Sequence, residues 1–290
     1  MGAGMQWRIG DVVITKVVEV EVPVPLAGLV PAATPDALAA HADWLAPHFI
    51  DADGIAPLSI HSFVIESQGV RILVDTCVGD RTIEGLEAMR GDPAFLDRLR
   101  GSGHPPESID VVCCTHLHFD HVGWNTVWDG AAWVPTFPDA RYLFCRAEYD
   151  AWTSMSSPFA PNLPDTVGPV VDAGLADLVD PDHRVTAEVR FVPTPGHSPG
   201  HMSVLVESNG ERAFITGDMT HHPVQWAEVD WGFVGDHDAE QAADSRRRIL
   251  DEHGDAGTIV LGTHYASPTA GTLERRGDGW IFAATDATER

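Results

Sequence analysis

The stretch CCTHLHFDHVGWN, residues 113–125, gathers His116, His118, Asp120 and His121. Imidazole is the commonest neutral nitrogen ligand for a metal ion, and carboxylate adds a hard oxygen. His116 and His118 alternate, so both can face one way as the chain leaves a strand, while Asp120 and His121 follow a turn later and can serve a second ion. More ligand types stand at the ends of apolar runs: His197 in TPGHSPGH, Asp218 in ITGDMTHH and His264 in LGTHY. Strand-end loops are where functional side chains collect. Seven ligands exceed what one tetrahedral ion takes, so two divalent ions are expected. Such a pair, roughly 3.5–4 Å apart, shares a hydroxide that is nucleophilic at neutral pH. One ion polarises a carbonyl or phosphoryl oxygen and the other stabilises the leaving oxygen. Asp120 is expected to orient the hydroxide and help move its proton. The chemistry is hydrolysis without a covalent enzyme intermediate.

The elements that must position these residues come in pairs. Residues 59–79, SIHSFVIESQGVRILVDTCVG, read as strand, tight turn at Gln68-Gly69, and strand. Residues 201–218, HMSVLVESNGERAFITGD, repeat the pattern with a turn at Asn209-Gly210. The second strands end at Asp75 and Asp218. SIDVVCCTH (108–116) and GTIVLGTH (257–264) are a further pair, each an apolar strand ending in Thr-His. A diverged internal duplication is the expectation. Helices are expected from Thr34-Pro35-Asp36 to about Leu45, from Asp92-Pro93 to Gly101, and from an Asp238/Gln241 capping box to about His253. TLERRGDGWIF near the end reads as a hairpin.

Composition bounds the rest. The 290 residues carry a formal net charge of −25, which repels polyanions and argues against nucleic acid or an anionic membrane as partner. No apolar run approaches the roughly 20 residues of a membrane span, and no signal peptide is read at the N-terminus, so the expected compartment is the cytoplasm. The four cysteines show no CxxC spacing and are expected to be reduced, with Cys113 and Cys114 packing in the strand that delivers the first ligands.

The order HxHxDH, His, Asp, His resembles the metallo-β-lactamase superfamily over about residues 11–282. The resemblance implies an α/β chain forming one domain over residues 1–290: a four-layer αββα sandwich with an internal pseudo-two-fold axis. It implies that His116, His118 and His197 hold the first metal, that Asp120, His121 and His264 hold the second, and that Asp218 bridges them. Asp75 would orient a ligand histidine from behind. The implied metals are two zinc ions, with iron, manganese or cobalt acceptable to the same ligands. Relatives usually carry glycine where this chain has Cys77. A homodimer is implied by the resemblance alone.

The expected substrate is a small molecule. No C-terminal helical domain, basic arm or flavin domain is expected from these residues, and that expectation sets aside several branches. Those closest in length and ligand set are the N-acyl homoserine lactonases and the organophosphorus hydrolases resembling methyl parathion hydrolase. Lactonases usually place a tyrosine three residues after the bridging aspartate. Here that position is His221, followed by His222, and one of the two is expected to hydrogen-bond the developing oxyanion. Trp44, His48, Phe49, Trp152, Met155, Phe159, Trp226, Trp231 and Phe233 are candidates for apolar pocket walls. The first expectation is hydrolysis of carboxylic esters or lactones with an apolar portion, and the alternative is phosphotriester hydrolysis. A metal-dependent oxidoreductase or a catalytically silent metal-binding protein is the reading of a different class.

Overall fold

A computed structural model describes residues 5–83, 90–155 and 157–285. Two mixed sheets face each other. The first runs in the order β1 (Gln6–Ile9), β2 (Val12–Pro25), β3 (Ile55–Ser67), β4 (Val70–Val74), β5 (Val111–Cys113), β8 (Arg141–Cys145), β9 (Ala176–Val179). A separate ribbon pairs β6 (Thr126–Trp128) with β7 (Trp133–Pro135). The second sheet runs consecutively through β10 (Val189–Pro193), β11 (Met202–Ser208), β12 (Glu211–Ile215), β13 (Ile259–Leu261), β14 (Ala270–Arg276) and β15 (Gly279–Thr285).

The duplication read from the sequence is present in the topology. In each sheet an antiparallel hairpin, β3–β4 or β11–β12, is followed by a parallel neighbour, β5 or β13. Gln68-Gly69 and Asn209-Gly210 both turn with positive φ at the two central residues, the twist that suits a two-residue hairpin. His116 lies three residues past the end of β5, and His264 three past the end of β13. Both copies therefore deliver ligands from the same edge of the sandwich.

Apolar runs such as VRILV and VVC alternate little because both faces of these strands are covered. Phe63, Ile65 and Val74 meet Phe191, Val204 and Ile215 between the sheets. The outer face of the first sheet packs on α3 (Phe95–Gly101), α4 (Arg146–Ser154) and α6 (Gly168–Asp172), with the short α5 (Leu163–Thr166) alongside. The outer face of the second sheet packs on α7 (Val224–Ala227), α8 (Ala239–His253) and the N-terminal helices. Three cores between four layers is the αββα sandwich.

The helix expected over 34–45 is interrupted. It forms α1 (Pro35–Leu38), a 3-10 turn at Ala39–His41 and α2 (Ala42–Leu45). His41 leaves helical geometry, and its Nε2 meets Glu228 Oε1 at 3.1 Å. The 92–101 helix starts at Phe95, after Asp92 has capped the Ala94 N–H. In α8 the Asp238 side chain accepts the Gln241 N–H as the capping pattern requires. All four cysteines are free and buried. Cys77 takes φ 52°, the left-handed backbone that a glycine adopts without strain.

Candidate metal centre

The sandwich edge brings His116, His118, Asp120, His121, His197, Asp218 and His264 into one cluster, joined by His221. All are buried except Asp120, whose side chain is 12% exposed. Donor atoms gather in overlapping groups: His116, His118 and His197; His116, His121 and Asp218; Asp120, His121 and His264; and His197, Asp218 and His221.

The hydrogen bonds behind the cluster set which ring nitrogens carry protons. Asp75 Oδ1 accepts the Thr115 N–H, and its Oδ2 accepts the Thr115 hydroxyl and His121 Nδ1–H at 2.9 Å. With its own proton given to Asp75, Thr115 Oγ1 accepts from His116 Nδ1, 3.1 Å away. His197 Nδ1 donates to Asp236 Oδ1 at 3.0 Å, and His264 Nδ1 donates to the Ser59 carbonyl at 3.1 Å. Each of these four rings therefore commits Nδ1 outward and turns Nε2 inward, where His197 Nε2 lies 2.9 Å from His118 Nδ1 and His264 Nε2 lies 3.2 Å from Asp218 Oδ2. The inward atoms crowd. His264 Nε2 is 3.0 Å and His121 Nε2 is 3.2 Å from Asp218 Oδ1, while His197 Nε2 is 3.4 Å from Asp218 Oδ2. Asp120 stands 3.7 Å from both His121 and His264. The Nε2 atoms of His116 and His121 and the Oδ1 of Asp218 are buried without a hydrogen-bond partner. Imidazole nitrogens and carboxylate oxygens converging on one buried point, several of them without a hydrogen-bond partner, are a donor set for cations.

The electrostatics divide the histidines. Burial, with neighbouring imidazoles, pushes His116 and His118 well below the usual histidine range. Burial also lowers His197, outweighing Asp218. Burial opposes charge on His121 too, but Asp218, Asp120 and Asp75 overcome it and hold the ring well above its usual value. His264 is raised in the same way by Asp218 and Asp120. Burial would raise Asp218, yet the surrounding histidines, His121 first, hold it well below the carboxylate range.

Two positioning groups carried no recognisable spacing in the sequence. Asp236, whose Oδ1 holds His197, has Oδ2 accepting the Phe233 N–H. It is 39 residues from His197. The loop holding His197 also lies against the start of α8. Gly196 (φ 132°) has room for no Cβ, which would meet Ala242 N at 2.1 Å. His201, the second histidine of TPGHSPGH, is no donor in the cluster. Its Nε2 accepts the Asp218 N–H at 2.8 Å, and its Nδ1 then donates to Thr194 Oγ1. Burial lowers its pKa to about 4, so it stays neutral in that role.

The histidine pair separates. His221 stacks on Phe233, centroids 3.9 Å apart, with Nε2 3.1 Å from Asp218 Oδ2. Its Nδ1 has no partner among the described residues. His222 turns away, contrary to its candidacy as a catalytic residue: its Nε2 donates to the Phe49 carbonyl at 2.9 Å and its Nδ1 accepts the Val224 N–H. With both nitrogens committed behind the site, it has nothing left to offer a substrate. A cavity of about 120 Å³ opens onto the cluster, walled by Leu29, Leu58, Phe119, Phe159 and Phe233. Phe159 and Phe233, two of the candidates for pocket walls, line this cavity. Phe49 and Trp226 lie instead in the outer core of the second sheet, with Trp44 and Trp231 against it. Trp152 and Met155 line a separate cavity of about 540 Å³ that also touches Leu117.

Facing mixed sheets with a His/Asp cluster at one edge define a metal-site sandwich. Residues 55–264 match the metallo-beta-lactamase superfamily model, and the chain belongs to that family. It is 27% identical to an N-acyl homoserine lactonase of Bacillus cereus over 207 residues, covering 67% of this chain and 76% of the relative. Two solved structures share the fold at TM-score 0.80: AidC, a dizinc quorum-quenching lactonase, at 20% identity over 99% of both chains, and the hydrolase AbOPH, at 21% identity over 100% of both.

Proposed function

We propose that this chain is a hydrolase of carboxylic esters or lactones with an apolar portion, working with two divalent ions, zinc foremost. The observation that carries the reading is the convergence of the Nε2 atoms of His116, His121, His197 and His264 on the Asp218–Asp120 carboxylates, each ring fixed by an acceptor behind its Nδ1. His116, His118 and His197 would hold one ion, Asp120, His121 and His264 the other, with Asp218 between them. When bound, such ions supply Lewis acidity and a hydroxide nucleophile at neutral pH.

The chain's own groups do the rest. Asp120 is the least buried carboxylate of the cluster, lines the cavity and is placed to take and return a proton. His221, with Phe233 fixing its plane, donates to the oxyanion that develops on the substrate. The apolar walls exclude water and take the hydrocarbon portion. A lactonase as relative supports lactones within the ester class. The test is acid release by zinc-reconstituted protein in a pH-stat with an N-acyl homoserine lactone, an open aryl ester and a phosphotriester. Turnover of lactone or ester is expected. Turnover of the phosphotriester alone overturns the substrate class.

A further inference from the structure

Glu148 is absent from the ligand set, yet it ties together the two loops that carry the first-metal histidines. It sits in the first turn of α4, and its carboxylate is sealed from solvent. Oε1 accepts the Leu117 N–H at 3.1 Å and the indole N–H of Trp152. Oε2 accepts the Ser198 hydroxyl at 2.8 Å and the Gly200 N–H at 2.7 Å. Leu117 lies between His116 and His118, and Ser198 directly follows His197. The approach is close enough that a Cβ on Gly200 would meet Glu148 N at 2.3 Å.

The second-metal residues are held from elsewhere. Asp75 and Thr76 grip His121 through its Nδ1 and its carbonyl, and Ser59 grips His264. Neither attachment involves Glu148. We propose that Glu148 is a positioning residue for the first metal ion alone, clasping the 116–118 and 197–200 loops so that His116, His118 and His197 converge on one cation. The inference rests on the two-ion reading above. Three of its four donors, the two backbone N–H groups and the indole, can only donate, so the clasp needs an acceptor at each of its oxygens. Glutamine keeps the length but puts an NH₂ against one donor pair.

The experiment is zinc titration of the full-length apo-protein in competition with a chromophoric chelator, for wild type, Glu148→Gln and Leu273→Ala. Leu273 is buried in the outer core of the second sheet, so its truncation lowers stability without touching the clasp. Wild type should show two binding steps. Glu148→Gln should weaken one step by roughly 10–100-fold and leave the other within about twofold, in keeping with residues that orient metal ligands. Leu273→Ala should leave both steps in place at a comparable loss of thermal stability. Two unchanged steps in Glu148→Gln, or both steps weakened together, overturn the proposal. If Glu148→Gln does not fold, Ser198→Ala removes one donor and should weaken the same single step to a smaller degree, and no change there overturns it. Wild-type protein that takes only one zinc removes the two-ion reading, and this inference with it.

Discussion

Asp75→Asn isolates how far the groups behind the ligands control metal binding. Asp75 has φ 59°, a left-handed backbone that asparagine also tolerates, so the replacement adds little backbone strain. It is 1% exposed, so water cannot repair what is lost. Three donors converge on the native carboxylate: Thr115 N–H at 2.7 Å on Oδ1, and the Thr115 hydroxyl and His121 Nδ1–H, both at 2.9 Å, on Oδ2. An amide NH₂ in place of Oδ1 faces the Thr115 N–H, which cannot turn. An NH₂ in place of Oδ2 faces His121 Nδ1, and relief there moves the ring proton to Nε2, the nitrogen aimed at Asp218. Either arrangement loses a charge-assisted hydrogen bond, about 1.5–3 kcal/mol of stability. The second also removes a ligand lone pair. Zinc affinity at the His121 step should fall about 10–100-fold, or about 1.4–2.8 kcal/mol. Denaturant unfolding of the apo-protein measures the first loss, and chelator competition the second. Wild-type zinc affinity in a folded Asp75→Asn protein refutes the reasoning.

The histidine pair gives a second prediction: His221→Ala should lower kcat by at least tenfold with zinc retained, while His222→Ala should lower stability and leave the kcat of the folded fraction near wild type. Steady-state kinetics with metal analysis checks both, and equal effects on kcat contradict the placement. Because carboxylates hold His121 and His264 above the usual histidine range, a cation that takes their Nε2 competes with a proton. Zinc binding should therefore release protons and tighten as pH rises, read by calorimetry in buffers of different ionisation heat; buffer-independent heats contradict it. Burial lowers Lys16 to about 8. Between about pH 8 and 10.5 the unfolded chain holds the proton that the folded chain has lost, so stability rises with pH across that window. Lys16→Met should flatten that rise, and an unchanged slope by denaturant unfolding rules it out.

The histidine–aspartate cluster was legible because its residue types are rare in combination and stand at strand ends, where the chain itself sets their direction. His116 and His118 needed only alternation, and His197, Asp218 and His264 only an apolar run before them. The paired hairpins were legible for the same local reason, since Gln68-Gly69 and Asn209-Gly210 mark their own turns. Asp236 and Glu148 act through contacts 39 and 31 residues away on Oε1 or Oδ1, and no local pattern records such a partner. His221 and His222 are adjacent and identical in type, so only the surrounding packing could separate them: Phe233 stacks on one, and the Phe49 carbonyl takes the other. At the break in the 34–45 helix His41 meets Glu228, a partner far along the chain that no local pattern records. Among the described residues no helix is long and apolar enough to cross a membrane.

Metal-dependent turnover tests the central claim most directly. Chelated protein would be titrated with zinc while acid release from an N-acyl homoserine lactone is followed in a pH-stat. The account predicts no turnover in the chelated protein and activity that climbs to its plateau at two zinc per chain, with Asp218→Ala inactive throughout. Full activity in the chelated protein, or in Asp218→Ala, would contradict it.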